Sequence, residues 1–316
     1  MEACYPQVKS NVTSYSTMTV VIISLQAFAG LWINAFIVSV LCVALAKKKT
    51  FNSNEKILLF LGCSRFGYFC VLWIGTFLLI IYPWIYYVHP IPQLDNAIQS
   101  FLIFSNLWAS SSLSVFYCIK IANFQHSFFT FLKAKIDRIV PWLLMASALL
   151  SLIISIFAYK TVDEVHCNNT NATSLENFWR LSAKLDRHSL PMFFISGFGF
   201  ATAFLVVLFS ALLLLFSLWR HKRRMQANSV RNISVDAHIK AMKSVLSFLF
   251  LYSINFICLT LSLVYGIKEN HVMLLIIVFL NTFPAVHSLL LIFSNPKLER
   301  TLLRILLWVK CKVCGR

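Results

Sequence analysis

The chain has 316 residues, of which 59% are hydrophobic and only 12% charged, with a mean hydropathy of +0.76. A soluble domain carries about 25% charged residues, so this composition excludes a soluble enzyme, a disordered chain and a collagenous one and predicts an integral membrane protein. The net charge of +17 does not mark a nucleic-acid binder, because nearly all Lys and Arg lie between long apolar runs instead of on one soluble basic face.

A membrane-spanning helix needs about 20 apolar residues with few charges. Seven stretches qualify, at 18–46, 57–82, 98–119, 139–159, 189–219, 244–267 and 272–294. They predict an all-α membrane protein, a seven-transmembrane helix bundle over 18–294. A tail at 1–17 precedes it, and a short amphipathic segment at 295–316 follows. The first run is too long for a signal peptide and has no basic segment or cleavage site before it, so it is expected to stay as an anchor. The flanks 47–56, 120–138, 220–243 and 297–316 hold 21 Lys and Arg, and the alternate flanks hold 6. Basic flanks stay in the cytoplasm, which predicts an N-terminus outside and a cytoplasmic C-terminal helix.

In chain order, the first span carries Asn34 and the second carries Arg65, the only formal charge inside any span. Arg65 lies about 8 residues into its span, roughly 12 Å from the end, where a charge must face the bundle interior and find partners. Asn34, His287 and Ser288 stand at comparable depth in the first and seventh spans. Two readings of the group stay open, a polar switch between receptor states and a static clasp. In the third span, Trp108 with Ser111 and Ser112 a turn below lies roughly 15 Å below the outer end. Asn255 lies about 16 Å below the outer end of the sixth span and Ile277 about 9 Å below that of the seventh, depths that frame one pocket. Trp offers a broad apolar face with one indole donor, suited to flat or bulky ligands. Packing against a neighbouring span or lipid is its bland alternative. No Asp or Glu occurs in the outer half of any span, so no ion-pair anchor for amines is expected.

The outer loop 160–188 holds the sequons at Asn168 and Asn171, the expected glycosylation sites; Asn11 has a third, closer to the bilayer. The terminal segment has Leu298, Leu302, Leu306 and Val309 on one face and basic residues on others, as suits a helix on the cytoplasmic leaflet, so membrane lipid is a partner. Cys311 and Cys314 there are either palmitoylation sites or plain surface thiols. No metal cluster, nucleophile elbow, phosphate loop or carboxylate pair appears in the spans, so neither an enzyme nor a cofactor or metal is expected.

Five blocks narrow the class. They are Leu58-Leu-Phe-Leu61-Gly-Cys-Ser64-Arg65 in span two, Leu113-Ser-Val-Phe116-Tyr117-Cys-Ile-Lys120-Ile-Ala122-Asn123-Phe124 in span three, Ser217-Leu-Trp219-Arg-His221 ending span five, His238-Ile-Lys-Ala241-Met-Lys243 opening span six, and Pro284-Ala-Val-His287-Ser288 with Asn295-Pro-Lys297-Leu298 in and after span seven. Taken together and in order, they resemble the bitter taste receptors, the type 2 taste receptor family of G-protein-coupled receptors. The D/E-R-Y, C-W-x-P and N-P-x-x-Y motifs of rhodopsin-like receptors are absent, as is a Cys at the head of span three. Cys167 therefore has only Cys4 as an external partner, and their pairing stays open.

The resemblance implies a plasma-membrane, multi-pass receptor that senses small bitter molecules in the outer half of the bundle and activates a heterotrimeric, gustducin-like G protein. Ligand contacts are expected from Trp108, Ser111, Ser112, Asn255 and Ile277; positions 112 and 255 depart from residues common in the family, so agonists cannot be borrowed from a relative. The coupling face is expected to use Lys120, Asn123, His221, His238 and Lys243, on the side whose 21 basic residues suit an acidic partner surface. A vomeronasal-type chemoreceptor has similar size but lacks these blocks. A seven-span transporter would need intramembrane ion sites and repeat symmetry, and neither is visible.

Overall fold

The computed structural model describes the backbone of residues 14–48, 52–86, 88–122, 127–169, 175–227, 232–265 and 271–314, with the side chains of most of them. Asn11, Asn123, Asn171 and Cys4 lie outside the described residues, as do the side chains of Asn168, Cys167, His221, His238 and Cys314. All the described secondary structure is helical: α1 (Ser14–Lys48), α2 (Ser53–Ile81), α3 (Pro83–Tyr86), α4 (Ile91–Ile121), α5 (Ser127–Asn169), α6 (Leu175–Ala227), α7 (Asn232–Tyr265), α8 (His271–Ser294) and α9 (Pro296–Cys314). Seven of these, all but α3 and α9, are long and apolar enough to cross a membrane. They coincide with the seven stretches read from hydropathy.

The helices overrun those stretches, because a backbone hydrogen-bond ladder does not stop where lipid stops. The α2 start shows the local chemistry: the Asn52 backbone N–H donates to the Glu55 side chain at 3.2 Å, and the Lys56 N–H donates to the Asn52 carbonyl at 3.0 Å. Glu55 thus closes the first turn and favours its positive dipole end. The early start of α4 corrects one expectation. Because the helix begins at Ile91 instead of 98, Asp95 stands within it, accepting hydrogen bonds from the Tyr86 hydroxyl and the Gln99 amide.

The least apolar span is also the most buried. α4 packs against α2, α5 and α6, and its interior residues include Ser105, Ser110, Ser111 and Ser114. Small side chains let helix backbones approach where lipid offers no hydrophobic drive for association. Around this centre α1 packs on α2 and α8, and α7 on α6 and α8. At the α1–α2 contact, a Cβ on Gly30 would sit 2.2 Å from the Phe69 ring, so only glycine admits that approach. Large apolar side chains such as Trp32, Trp142, Phe198 and Phe209 point outward. In water they would form an untenable surface; in lipid they face their solvent.

Four buried clusters fill the bundle among the described residues, the smallest of them Cys118, Ala122, Leu214 and Leu218 between α4 and α6. The one nearest α9 joins Ile37, Leu58, Leu61, Leu113, Phe116, Ile136, Leu291 and Leu298, drawn from six helices. The half away from α9 has two, one on α1, α2 and α8 around Phe69, and one on α4, α5, α6 and α7 around Phe104, Phe200 and Tyr252. α9 itself anchors through Leu298, fully buried, and Leu302, packed on the first cluster. Leu303, Leu306, Leu307 and Trp308 remain exposed, a broader apolar surface than the single expected stripe.

Candidate functional site

Arg65 is 1% exposed and is the largest fully buried side chain among the described residues. Its Nε donates to Asn106 Oδ1 at 3.2 Å, Nη1 to Ser288 Oγ at 2.8 Å, and Nη2 to Ser110 Oγ at 3.3 Å and His287 Nδ1 at 2.7 Å. A guanidinium only donates, so Nδ1 is the acceptor and the neutral His287 ring carries its proton on Nε2. That Nε2 has no hydrogen-bond partner; the ring lies between Phe248 and Phe283, with centroids 4.8 and 5.6 Å away. Ser288 passes the chain on, its hydroxyl donating to Asn34 Oδ1 at 2.8 Å, while Asn34 Nδ2 donates to the Gly30 carbonyl at 2.8 Å. The structure thus brings Asn34, Arg65, His287 and Ser288 into one network across α1, α2, α4 and α8.

Immediately beside this network lies a cavity of about 280 Å³ between α2, α4, α7 and α8. Its lining includes Arg65, Tyr68, Gln99, Ile103, Asn106, Leu107, Asn255, Leu259, Ile277 and Asn281. Tyr68 donates to Asn281 Oδ1 at 2.6 Å, which leaves the buried Nδ2 of Asn281 without a partner. The cavity is mostly apolar with a few convergent polar groups, the usual make-up of a small-molecule site.

Of the expected ligand residues, Asn255 and Ile277 line this cavity. Trp108 does not. It is half-buried against the Phe104–Phe200–Tyr252 cluster, and its indole N–H has no partner. Ser111 is buried at the α4–α6–α7 junction, its hydroxyl 3.0 Å from the Leu107 carbonyl, 3.3 Å from the Ala203 carbonyl and 3.4 Å from the Tyr252 hydroxyl. Ser112 donates back to the Trp108 carbonyl at 2.9 Å.

Near α9, Lys120 pairs with Asp137 at 2.8 Å with both side chains about half exposed, and Lys243 is exposed on α7. Lys297 pairs with Glu55, tying α9 to the start of α2. Asn106, Ser110, Tyr68 and Asn281 were not singled out from sequence. The signal was present: Asn106 and Ser110 are four residues apart and so share a helix face, and every polar residue inside a span seeks the interior.

Comparison with known proteins agrees with this architecture. Residues 12–310 match the family described as Taste receptor protein (TAS2R). The chain belongs to the type 2 taste receptor family. It is 34% identical to taste receptor type 2 member 40 of Gallus gallus over 96% of this chain and 98% of that one. It is 33% identical to member 9 of Homo sapiens over 92% and 94%, and 33% to member 7 of Papio hamadryas over 91% and 92%. It is accordingly a bitter-taste, G-protein-coupled receptor of the plasma membrane and not an enzyme; neither the vomeronasal nor the transporter reading is favoured.

Proposed function

We propose that this receptor binds its bitter agonists in the cavity between α2, α4, α7 and α8, and that its α9 end faces the cytoplasm and engages a gustducin-like G protein. The observation that carries the agonist site is the coincidence of a cavity with Asn255 and Ile277, two residues placed at pocket depth by the sequence. The 21 basic residues assigned to the α9-side flanks support the orientation. Lys120 and Lys243 supply positive charge and Asn123, His221 and His238 hydrogen-bonding groups to the coupling face, and Asn168 and Asn171 carry glycans on the other side. The exposed apolar face of α9 rests on the inner leaflet.

In this reading Asn255 orients the agonist by its carboxamide, and Ile277 supplies apolar wall. Trp108, Ser111 and Ser112 act one layer behind, holding α4 against α6 and α7. The Arg65 network beneath the cavity is the switch, because movement of α8 relative to α2 has to break its hydrogen bonds. Calcium imaging with a promiscuous G protein and a panel of bitter compounds tests the site. Asn255→Ala and Ile277→Trp should each right-shift most responses at least about tenfold with surface staining unchanged, a loss of roughly 1.4 kcal/mol. Trp108→Ala should have the smaller effect. Wild-type potency in both cavity variants would remove the agonist from this cavity.

A further inference from the structure

The polar groups at the floor of the cavity are unbalanced in one direction. Arg65 carries five N–H hydrogens, and four are used, all on neutral acceptors: Asn106, Ser288, Ser110 and His287. No Asp or Glu side chain lines the cavity or contacts the guanidinium among the described residues. The acid on the same α4 wall, Asp95, already accepts from Tyr86 and Gln99 with both its oxygens. A buried cation without a counter-charge is among the most costly arrangements in a membrane interior, and Arg cannot escape it by losing its proton.

The carboxamides around this cation are turned the same way. Asn106 commits its Oδ1 to Arg65, so the amide that remains beside the guanidinium is the Nδ2 donor. Asn281 commits its Oδ1 to Tyr68; its Nδ2 is buried, faces no acceptor, and belongs to a residue 3% exposed that lines the cavity. The spare guanidinium N–H and the two uncommitted amide groups therefore belong to three residues that line one cavity, with no Asp or Glu among the residues lining it.

We propose that the floor of this cavity is a binding site for a compact anionic group, a carboxylate or a halide, held by the Arg65 guanidinium and the Nδ2 amides of Asn106 and Asn281. The group arrives either as a free ion or as the acidic end of a larger ligand. The proposal concerns the floor alone and stands whether or not agonists occupy the upper cavity. A bound anion supplies the missing counter-charge, and binding only to the folded bundle raises its stability by mass action.

The test uses the full receptor in lipid nanodiscs without agonist. Thermal unfolding is followed at constant ionic strength while a bulky sulfonate salt is replaced by sodium chloride or by sodium acetate. Either anion is expected to raise the midpoint by about 3 °C at saturation. A response to acetate alone assigns the site to carboxylates, and one to chloride as well extends it to halides. Asn281→Leu should lose most of the response. Asn106→Asp places a carboxylate where Arg65 Nε already donates, so it should unfold at a higher temperature than wild type in the sulfonate buffer and respond to neither anion. A wild-type midpoint indifferent to both anions overturns the proposal. So does an undiminished response in Asn281→Leu or Asn106→Asp, which would place the anions on surface lysines and arginines.

Discussion

The half of the bundle nearest α9 and the half away from it are built from the same apolar residues yet packed to different ends. Near α9, leucines, isoleucines and Phe116 from six helices close on one another with a smaller cluster around Leu214 and Leu218 beside them, and the cavity inside the bundle there holds only about 60 Å³, the larger groove of about 540 Å³ lying at the polar edge between the start of α2 and α9. In the other half the apolar residues split into two separate clusters, and a gap of about 280 Å³ opens between them with asparagines on its walls. A core that closes fixes helix positions; a core that divides leaves a volume that another molecule can fill. The Arg65 network sits where the two regimes meet, and it is the most direct place to break the distinction.

Replacing Arg65 with Leu should have the largest effect. It strands Asn106, Ser110, Ser288 and His287 without their shared donor, a cost of about 3 kcal/mol or more. The expected outcome is loss of surface receptor together with a sharply lowered unfolding temperature. Arg65→Lys should recover only part, since an ammonium on a flexible stem cannot serve four acceptors in a fixed fork. Equal surface levels for wild type and Arg65→Leu would show that the network is dispensable.

Paired truncations sharpen the comparison. Leu61, 1% exposed in the closed core, should cost about 3 kcal/mol when changed to Ala. Leu259 borders the cavity and already lacks neighbours on one side, so Leu259→Ala should cost about half as much. Thermal midpoints measured side by side decide it, and a Leu259→Ala penalty matching that of Leu61→Ala would mean the cavity wall is as tightly packed as the core.

The smallest effect belongs to the ion pair at the α9 end. Lys120 and Asp137 have side chains 45% and 55% exposed, so water and salt screen them. Lys120→Met should change stability by less than about 1 kcal/mol, and raising salt should shrink even that difference. A penalty that survives high salt would show the pair to be shielded.

The sequence carried heights better than bearings. Apolar length gave all seven spans, since lipid thickness fixes the count of residues. It could not give helix ends, because a helix continues through polar interface where hydropathy falls; Asp95 entered α4 that way. Arg65, Asn34, His287 and Ser288 were legible as a group because polar residues inside a span face inward and helical rise gives depth. Trp108 shows the limit. Its height matches the cavity, yet each residue turns about 100° around the axis, so Leu107 faces the cavity while Trp108 next to it faces α6. Counting from a span end fixes the floor of the building and not the side of the corridor. Asn106 and Asn281 escaped for a different reason, since neutral amides in apolar runs carry no formal charge to draw notice.

One further joint has mechanical meaning. The Tyr252 hydroxyl of α7 lies 3.3 Å from the Leu107 carbonyl and 3.4 Å from the Ser111 hydroxyl, and Ser111 also sits 3.3 Å from the Ala203 carbonyl of α6. Two hydroxyl protons are thus divided among more acceptors than they can serve, and every inter-helix distance is long. Letting α7 slip past α4 at this level forfeits about one weak hydrogen bond, near 1 kcal/mol. The same displacement of α8 against α2 has to pull Ser288 and His287 off a guanidinium at 2.8 and 2.7 Å. At this level hydrogen bonding therefore holds α7 to α4 more loosely than it holds α8 to α2, and the ring contacts of Phe248 and Tyr252 with His287 and Phe283 tie α7 to α8 instead.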